Sequence, residues 1–279
     1  MIIIKTIGGL GNQLFQYALG RRLSLERNTE LFFDATWYEK PPNRKYSLDK
    51  FHTSGAVATK TDSKKRKPRL LDVILPINKK RYIREQSFLF DKKILSVGKD
   101  VYLDGYWQSP KYFESIEDIL KKDLVLKEPQ GEENEDMRKK IYSVNSVSLH
   151  VRRGDFLAEK NKKTYTDCGP EYYQSAVNYI FKQTGEIELF VFSDDPEWVK
   201  ENLHTGHPTT FVSSHHFTDY QELNLMRSCK HNITANSTFS WWGAWLNPNP
   251  KKIVVTPKQW FVPMGRNGED LIPATWIRM

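Results

Sequence analysis

The chain is poor in cysteine. Cys168 and Cys229 are its only two, too few for a disulfide framework, and nothing beside them completes a zinc pattern. No apolar run approaches the roughly 20 residues of a membrane helix, and the opening residues lack the apolar core and small-residue cleavage site of a signal peptide. These absences predict a protein of the reducing cytosol. No internal repeat and no low-complexity tract is present. Also missing are a recognition helix, a zinc finger and an RNA-binding signature, which argues against nucleic acid as partner despite a net charge of +8.

That charge still favours an anionic ligand or an acidic membrane face. Much of it is local, in KTDSKKRKPRL (Lys60 to Leu70) and NKKRYIR (Asn78 to Arg84). Both clusters read first as solvated surface; the alternative is peripheral contact with anionic lipid. With 39% hydrophobic and 13% aromatic residues in 279, the chain has the composition of a folded protein with a sizeable core.

From Ser146 onward the pattern is regular. SVSLHVR alternates, with Val147, Leu149 and Val151 on one face and Ser148, His150 and Arg152 on the other. GPEYYQSAVNYIFKQTG is a helix bracketed by proline and glycine. IELFVFS is a strand, DPEWVKENL a short helix capped by Asp195, and TTFVS a strand. A helix over about Asp219 to Cys229, strand HNITAN, helix STFSWWGAWLN and a last strand KKIVVTP complete the run. The N-terminal part begins likewise, with strand Met1–Thr6, helix about Asn12–Arg27 and strand Glu30–Phe33. Order decays through a Pro- and Lys-rich middle and returns at DVYLDGYWQSPKYFESIEDILKKDL as strand, then helix. Alternating strands and helices predict an α/β protein with parallel, doubly wound sheets. The polar stretch KEPQGEENED predicts a junction, giving domains 1–135 and 136–279.

GGLGNQLFQYALGRRL follows the first strand, and Asp34 ends the second, 23 residues after Gly11. This nears the dinucleotide fingerprint, whose acidic residue holds a ribose, and keeps an NAD(P)-dependent oxidoreductase open. The third glycine is replaced by Leu14, and Asn12 and Gln13 put two amides at the helix start. The other reading is a strand-to-helix turn that needs glycine for positive φ.

HVRRGD (His150 to Asp155) closes the first strand of the second half, where ligands collect in open α/β sheets. Adjacent arginines there match phosphate oxygens. ANSTFSWW sets Asn236, Ser237 and Thr238 at another strand end and on a helix N-terminus, an anion site; Trp241, Trp242 and Trp245 read as core. SDD brings Asp194 and Asp195 to a third strand end. Asp195 is explained as a cap, while Asp194 is left to accept from a ribose or base.

GGLGNQLFQYALGRRL, DGYWQSPKYF, HVRRGD, FSDDPEW and LMRSCKHNITANSTFSWWGAWLN together resemble the bacterial α-1,2-fucosyltransferases, glycosyltransferase family eleven. The resemblance implies a GT-B-like architecture of two Rossmann-like halves facing across a cleft, with the acceptor on the first and GDP-fucose on the second. It implies inverting, metal-independent transfer of L-fucose, with no cofactor, to O2 of a galactose-terminated glycan being built for a surface polysaccharide. Arg152 would clamp the departing β-phosphate, and Asn236, Ser237 and Thr238 would complete that pocket. His150 would lie near guanine, and Glu222, where the family usually has Asp, would accept from its N–H groups, with Asp194 nearby. Gly11, Asn12 and Gln13 would meet the donor from the first half, and Asp155 is the candidate base. A non-catalytic nucleotide- or glycan-binding protein is the remaining alternative.

Overall fold

The computed structural model describes residues 1–39, 44–59, 61–62, 72, 74–154, 166, 168–261 and 268–279. Asp155, and the basic run Lys60 to Leu70 apart from Thr61 and Asp62, lie outside them. The chain divides into two compact units, Met1–Lys127 with Asn267–Pro273, and Glu128–Arg266 with Ala274–Met279. The division falls at Lys127/Glu128 rather than at 135/136. The polar stretch does not act as a spacer throughout: after Gly131, its second half opens helix α3 of the second unit, Glu132–Ser143.

Unit 1 is built on strands β1 (Ile2–Lys5), β2 (Leu31–Asp34), β3 (Ala56–Val57), β4 (Tyr82–Arg84) and β5 (Val101–Asp104). They form one parallel sheet in the order β3-β2-β1-β5-β4. Helices α1 (Leu10–Glu26) and α2 (Glu117–Asp123) belong to the same unit. β1 and β5 are side by side, with Ile4 opposite Leu103, so the order reverses between them. The apolar run IIIK has no exposed side, and Ile2, Ile3 and Ile4 are fully buried, as parallel strands covered on both faces require. Leu14, Phe15, Ala18 and Leu19 of α1 are buried with them. Leu14, the residue that breaks the dinucleotide fingerprint, is therefore a core side chain.

Unit 2 carries β6 (Ser146–Val151), β7 (Glu188–Ser193), β8 (Thr209–Phe211), β9 (His231–Ile233), β10 (Val254–Thr256) and β11 (Ile277–Arg278). The parallel order is β11-β10-β9-β6-β7-β8, with the reversal between β6 and β9. Helices α4 (Pro170–Thr184), α5 (Pro196–Asn202), α6 (Asp219–Ser228) and α7 (Thr238–Leu246) alternate with the strands. The alternation in SVSLHVR assigns its faces: Val147, Leu149 and Val151 pack with Tyr173, Ala176, Val177 and Ile180 of α4. The opposite layer joins Phe190 and Phe192 of β7 to Met137 and Ile141 of α3 and Leu225 and Met226 of α6. Trp241, Trp242 and Trp245 are core, as expected. β11 extends the sheet beyond KKIVVTP, the strand expected to be last, through a two-residue pairing too short to leave a period in the sequence.

Candidate functional site

In open α/β sheets the strand-order reversal leaves a crevice outside the carboxyl ends of the strands, the preferred place for a ligand. In unit 2 that place is the end of β6, where Arg152 follows Val151, beside the end of β9 and the start of α7. Asp194, just past β7, organises it. Its carboxylate accepts from the backbone N–H of Arg153 at 2.9 Å and of Gly154 at 3.1 Å, and it pairs with Nη1 of Arg152 at 2.8 Å. Arg153 is turned elsewhere: its guanidinium lies 3.9 Å from the Trp198 ring centroid and 3.4 Å from Asp195. Each of the adjacent arginines is thus paired with a carboxylate, Arg152 the more closely. Asp195 caps α5 by accepting from the Trp198 N–H.

His150 is buried, its ring 5.7 Å from that of Phe239 in the first turn of α7. Burial, and next to it the Arg152 charge, push its pKa down to about 3, so the imidazole is neutral at physiological pH. Its Nδ1 is buried without a hydrogen-bond partner among the described residues. Ser237 is the N-cap of α7, accepting from the Phe239 N–H at 3.4 Å, and half-buried Thr238 follows it. Glu222 lies on α6. Burial raises its pKa to about 7, opposed by a hydrogen bond from Ser213 and assisted by the charges of Asp219 and Asp194. Ser213 also accepts from the backbone N–H of Ser193, at the end of β7. His150, Arg152, Asp194, Glu222, Ser237 and Thr238 are thus carried by the carboxyl-end edge of one sheet.

Asn236 is directed inward instead. It is buried, and its Nδ2 donates to the carbonyls of Thr166 at 2.6 Å and Trp260 at 3.2 Å, while Oδ1 accepts from Cys168 Sγ. It ties down the loops beside α7. A further polar cluster carries the reversal point and was not legible in the sequence. Asn232 in β9 donates to Ser148 Oγ at 2.7 Å and to Met226 O, and Asn247 at the end of α7 donates to Asn232 Oδ1 at 2.7 Å.

In unit 1 the corresponding reversal places the glycine loop beside the segment after β5. Gly8 sits at φ +82°, a conformation that favours glycine, and Gly9 is the N-cap of α1 without a side-chain bond. Gly11 is buried in the first turn. Asn12 is half-buried, and its Oδ1 accepts from Gln108 Nε2 at 3.0 Å. Gln13 is fully buried: its Nε2 donates to the carbonyls of Lys45 and Gly8, and its Oε1 accepts from the Ser47 N–H. Gln16, which the sequence did not single out, likewise holds the Ile7 N–H and Gly105 O. The two glutamines brace the loop, so Asn12 is the amide nearer its surface.

The dinucleotide alternative loses its ribose carboxylate. Asp34 is buried, accepting from the N–H and hydroxyl of Thr36 through Oδ1 and from the Tyr102 hydroxyl at 2.8 Å through Oδ2.

Known proteins agree with this architecture. The O-antigen biosynthesis glycosyltransferase WbnK of Escherichia coli is 32% identical, over 98% of this chain and 98% of its own. An α-1,2-colitosyltransferase of the same species is 31% identical over 100% and 99%. Among solved structures, the α-1,6-fucosyltransferase NodZ soaked with GDP-fucose has a TM-score of 0.52 at 13% identity, covering 88% of this chain and 92% of its own. That likeness identifies the two Rossmann-like halves as a GT-B fold. The Glycosyl transferase family 11 model matches residues 1–278, and with relatives above 30% identity along the whole length the chain belongs to glycosyltransferase family 11.

Proposed function

We propose that the protein transfers L-fucose from GDP-fucose to O2 of a terminal β-galactose, inverting the anomeric carbon and needing no metal. The observation that carries this reading is Arg152, held by Asp194 at the β6/β9 reversal beside the capped start of α7. Inverting transfer forms a bond from the acceptor O2 to the anomeric carbon while the bond from that carbon to the β-phosphate oxygen breaks. The electron pair leaves with GDP, and the acceptor hydroxyl loses its proton. A fixed guanidinium aimed at the departing phosphate stabilises the charge that grows there, and the N–H groups and hydroxyls at Ser237 and Thr238 add to it. Neutral His150 and the Glu222 carboxylate would meet the guanine. A ligand at His150 would relieve its buried nitrogen, which unpartnered costs about 1–3 kcal/mol. Asp155 is the proposed base.

A second donor is favoured by one observation, the colitosyltransferase that matches along the whole chain. Colitose is fucose without its 3-hydroxyl, so the two readings differ at one oxygen. Incubation with lactose and chelator separates them: the first predicts fucosyllactose from GDP-fucose, and exclusive use of GDP-colitose selects the second. Product that requires a divalent ion refutes metal independence. No helix among the described residues is long and apolar enough to cross a membrane. We place the enzyme in the cytosol, with Lys60 to Leu70 contacting the inner leaflet. Equal sedimentation with neutral and anionic liposomes would remove that contact.

A further inference from the structure

Directly after β4, Glu85 reaches across to the segment that follows β5. Its Oε2 accepts from the Tyr106 N–H at 2.7 Å and its Oε1 from the Trp107 N–H at 2.9 Å. The fit requires glycine at 105, where a Cβ would come within 2.4 Å of Glu85 Cβ. Trp107 is buried and sits at φ +58°, a left-handed conformation that costs a non-glycine residue energy and persists only where surroundings over-determine it. The surroundings do so from both sides. Glu85 holds the turn at its start, and Ser109 closes it, its N–H on Trp107 O at 2.9 Å and its hydroxyl on Asp270 O at 3.0 Å. Between these anchors stands Gln108.

Gln108 is 8% exposed and donates through Nε2 to Asn12 Oδ1. No described residue donates to its Oε1, and the atom is not one of the buried orphaned ones, so it is open to solvent or a ligand. The Glu85 carboxylate beside Gln108 is committed to the Tyr106 and Trp107 N–H groups, and the Asn12 amide meets its Nε2. The nearby Lys5 is paired with Asp104 at 3.0 Å. Such an edge lacks what a pyrophosphate needs and has what a sugar needs, a rigid amide with one acceptor unclaimed.

We infer that Gln108 binds a hydroxyl of the acceptor β-galactoside through Oε1, and that Glu85 is the positioning residue which sets it by imposing the Trp107 turn. This rests on the transferase reading for the identity of the ligand, not for the existence of the site.

The test uses the full chain, with lactose as probe. Saturation-transfer NMR without donor reads lactose binding directly, and steady-state kinetics separate KM for lactose from KM for GDP-fucose. Gln108→Ala should weaken lactose by about three- to tenfold, the loss of one neutral hydrogen bond. The donor KM should move by less than the lactose KM. Glu85→Gln offers an NH2 to one of the two backbone N–H groups and should move the lactose KM in the same direction. A merely structural role would lower the melting temperature and leave that KM in place. Lactose affinity unchanged in both variants, a parallel rise in the donor KM, or no lactose binding by the parent protein would each overturn the assignment. Lactose binding that depends on Gln108, with no transfer from GDP-fucose, would refute the donor and leave this site standing.

Discussion

Asp194→Asn is the sharpest probe of the unit 2 site, because the side chain keeps its shape and loses its charge. Asp194 accepts from three groups: Arg152 Nη1 at 2.8 Å and the N–H groups of Arg153 and Gly154. An asparagine keeps one acceptor oxygen and turns its NH2 toward the guanidinium and the Gly154 N–H, which are donors. At 2.8 Å and an effective dielectric near 20, the gross attraction is about 6 kcal/mol, most of it offset by the desolvation of both ions. The net worth of a charged hydrogen bond is about 1.5–3 kcal/mol. Both side chains are only 19% and 24% exposed, so screening by water removes little of that. If the loss falls on the orientation of Arg152 in the transition state, kcat/KM for GDP-fucose drops by about 10- to 150-fold. Arg152→Ala should itself cost about 10²–10³-fold. Since Asp194 acts through Arg152, adding Asp194→Asn to Arg152→Ala should cost only a few-fold more. GDP release with lactose as acceptor measures all four proteins, and thermal unfolding checks that each is folded. Effects of the two substitutions that simply multiply, or an Asp194→Asn enzyme within about twofold of the parent, would refute the coupling.

Three further outcomes follow from the geometry. Glu222, raised to about 7 by burial, must be ionised to accept from guanine in the role proposed for it. GDP-fucose affinity, measured without acceptor, should therefore rise as pH climbs through 7, and Glu222→Gln should flatten the rise. The stability sign is opposite: the unfolded carboxyl ionises near its ordinary 4.5, so this group's contribution is complete below that value and lost as pH rises through 7. The Glu222→Gln protein should accordingly gain in melting temperature over the parent between pH 5 and 8. Ser237→Ala removes the α7 cap and should cost about 1 kcal/mol of stability, whereas Ser237→Asp keeps a cap and sets an anion at the proposed phosphate site. The aspartate variant should melt like the parent yet bind GDP at least about tenfold more weakly, as calorimetry can show. Gly8→Ala forces an alanine to φ +82° with its Cβ 2.4 Å from Asn12 Nδ2, and should lower stability by about 1–3 kcal/mol in chemical denaturation.

What the sequence made legible was whatever it encodes locally. Buried parallel strands such as SVSLHV and ELFVFS, the Pro170 and Pro196 helix starts, the Asp195 cap and the arginines past a strand end are all signals within a few residues. The corresponding elements stand where expected. The middle of unit 1 was not legible, because β3 has two residues and β4 three, too few to show a period. They are strands only because β2 and β5 offer them an edge. Side-chain roles failed to show wherever the partner is distant in sequence. Asn236 is bound to the carbonyls of Thr166 and Trp260, Gln13 to Lys45 and Ser47, and Asp194 to the turn after β6. Each looks, in its own segment, like an unclaimed polar group at a binding edge.

The glycine loop shows the same limit and resolves it. Read alone, a strand, three glycines and a helix suggest a pyrophosphate site. In the fold, the helix that would supply the anion site begins without a side-chain cap and is braced by two buried glutamines. Its third fingerprint position is the core residue Leu14. The cation and the capped helix start belong to the other sheet, at Arg152 and Ser237. The two parallel sheets differ in strand order but each reverses beside its first strand, and on the proposed reading the two reversal points take ligands of different charge. On that reading the one carrying Arg152 takes the nucleotide diphosphate, and the one carrying Asn12 and Gln108 an uncharged sugar. The departure from the dinucleotide fingerprint follows from that division, because a loop relieved of phosphate needs no third glycine and can place an amide where a bare backbone would otherwise lie.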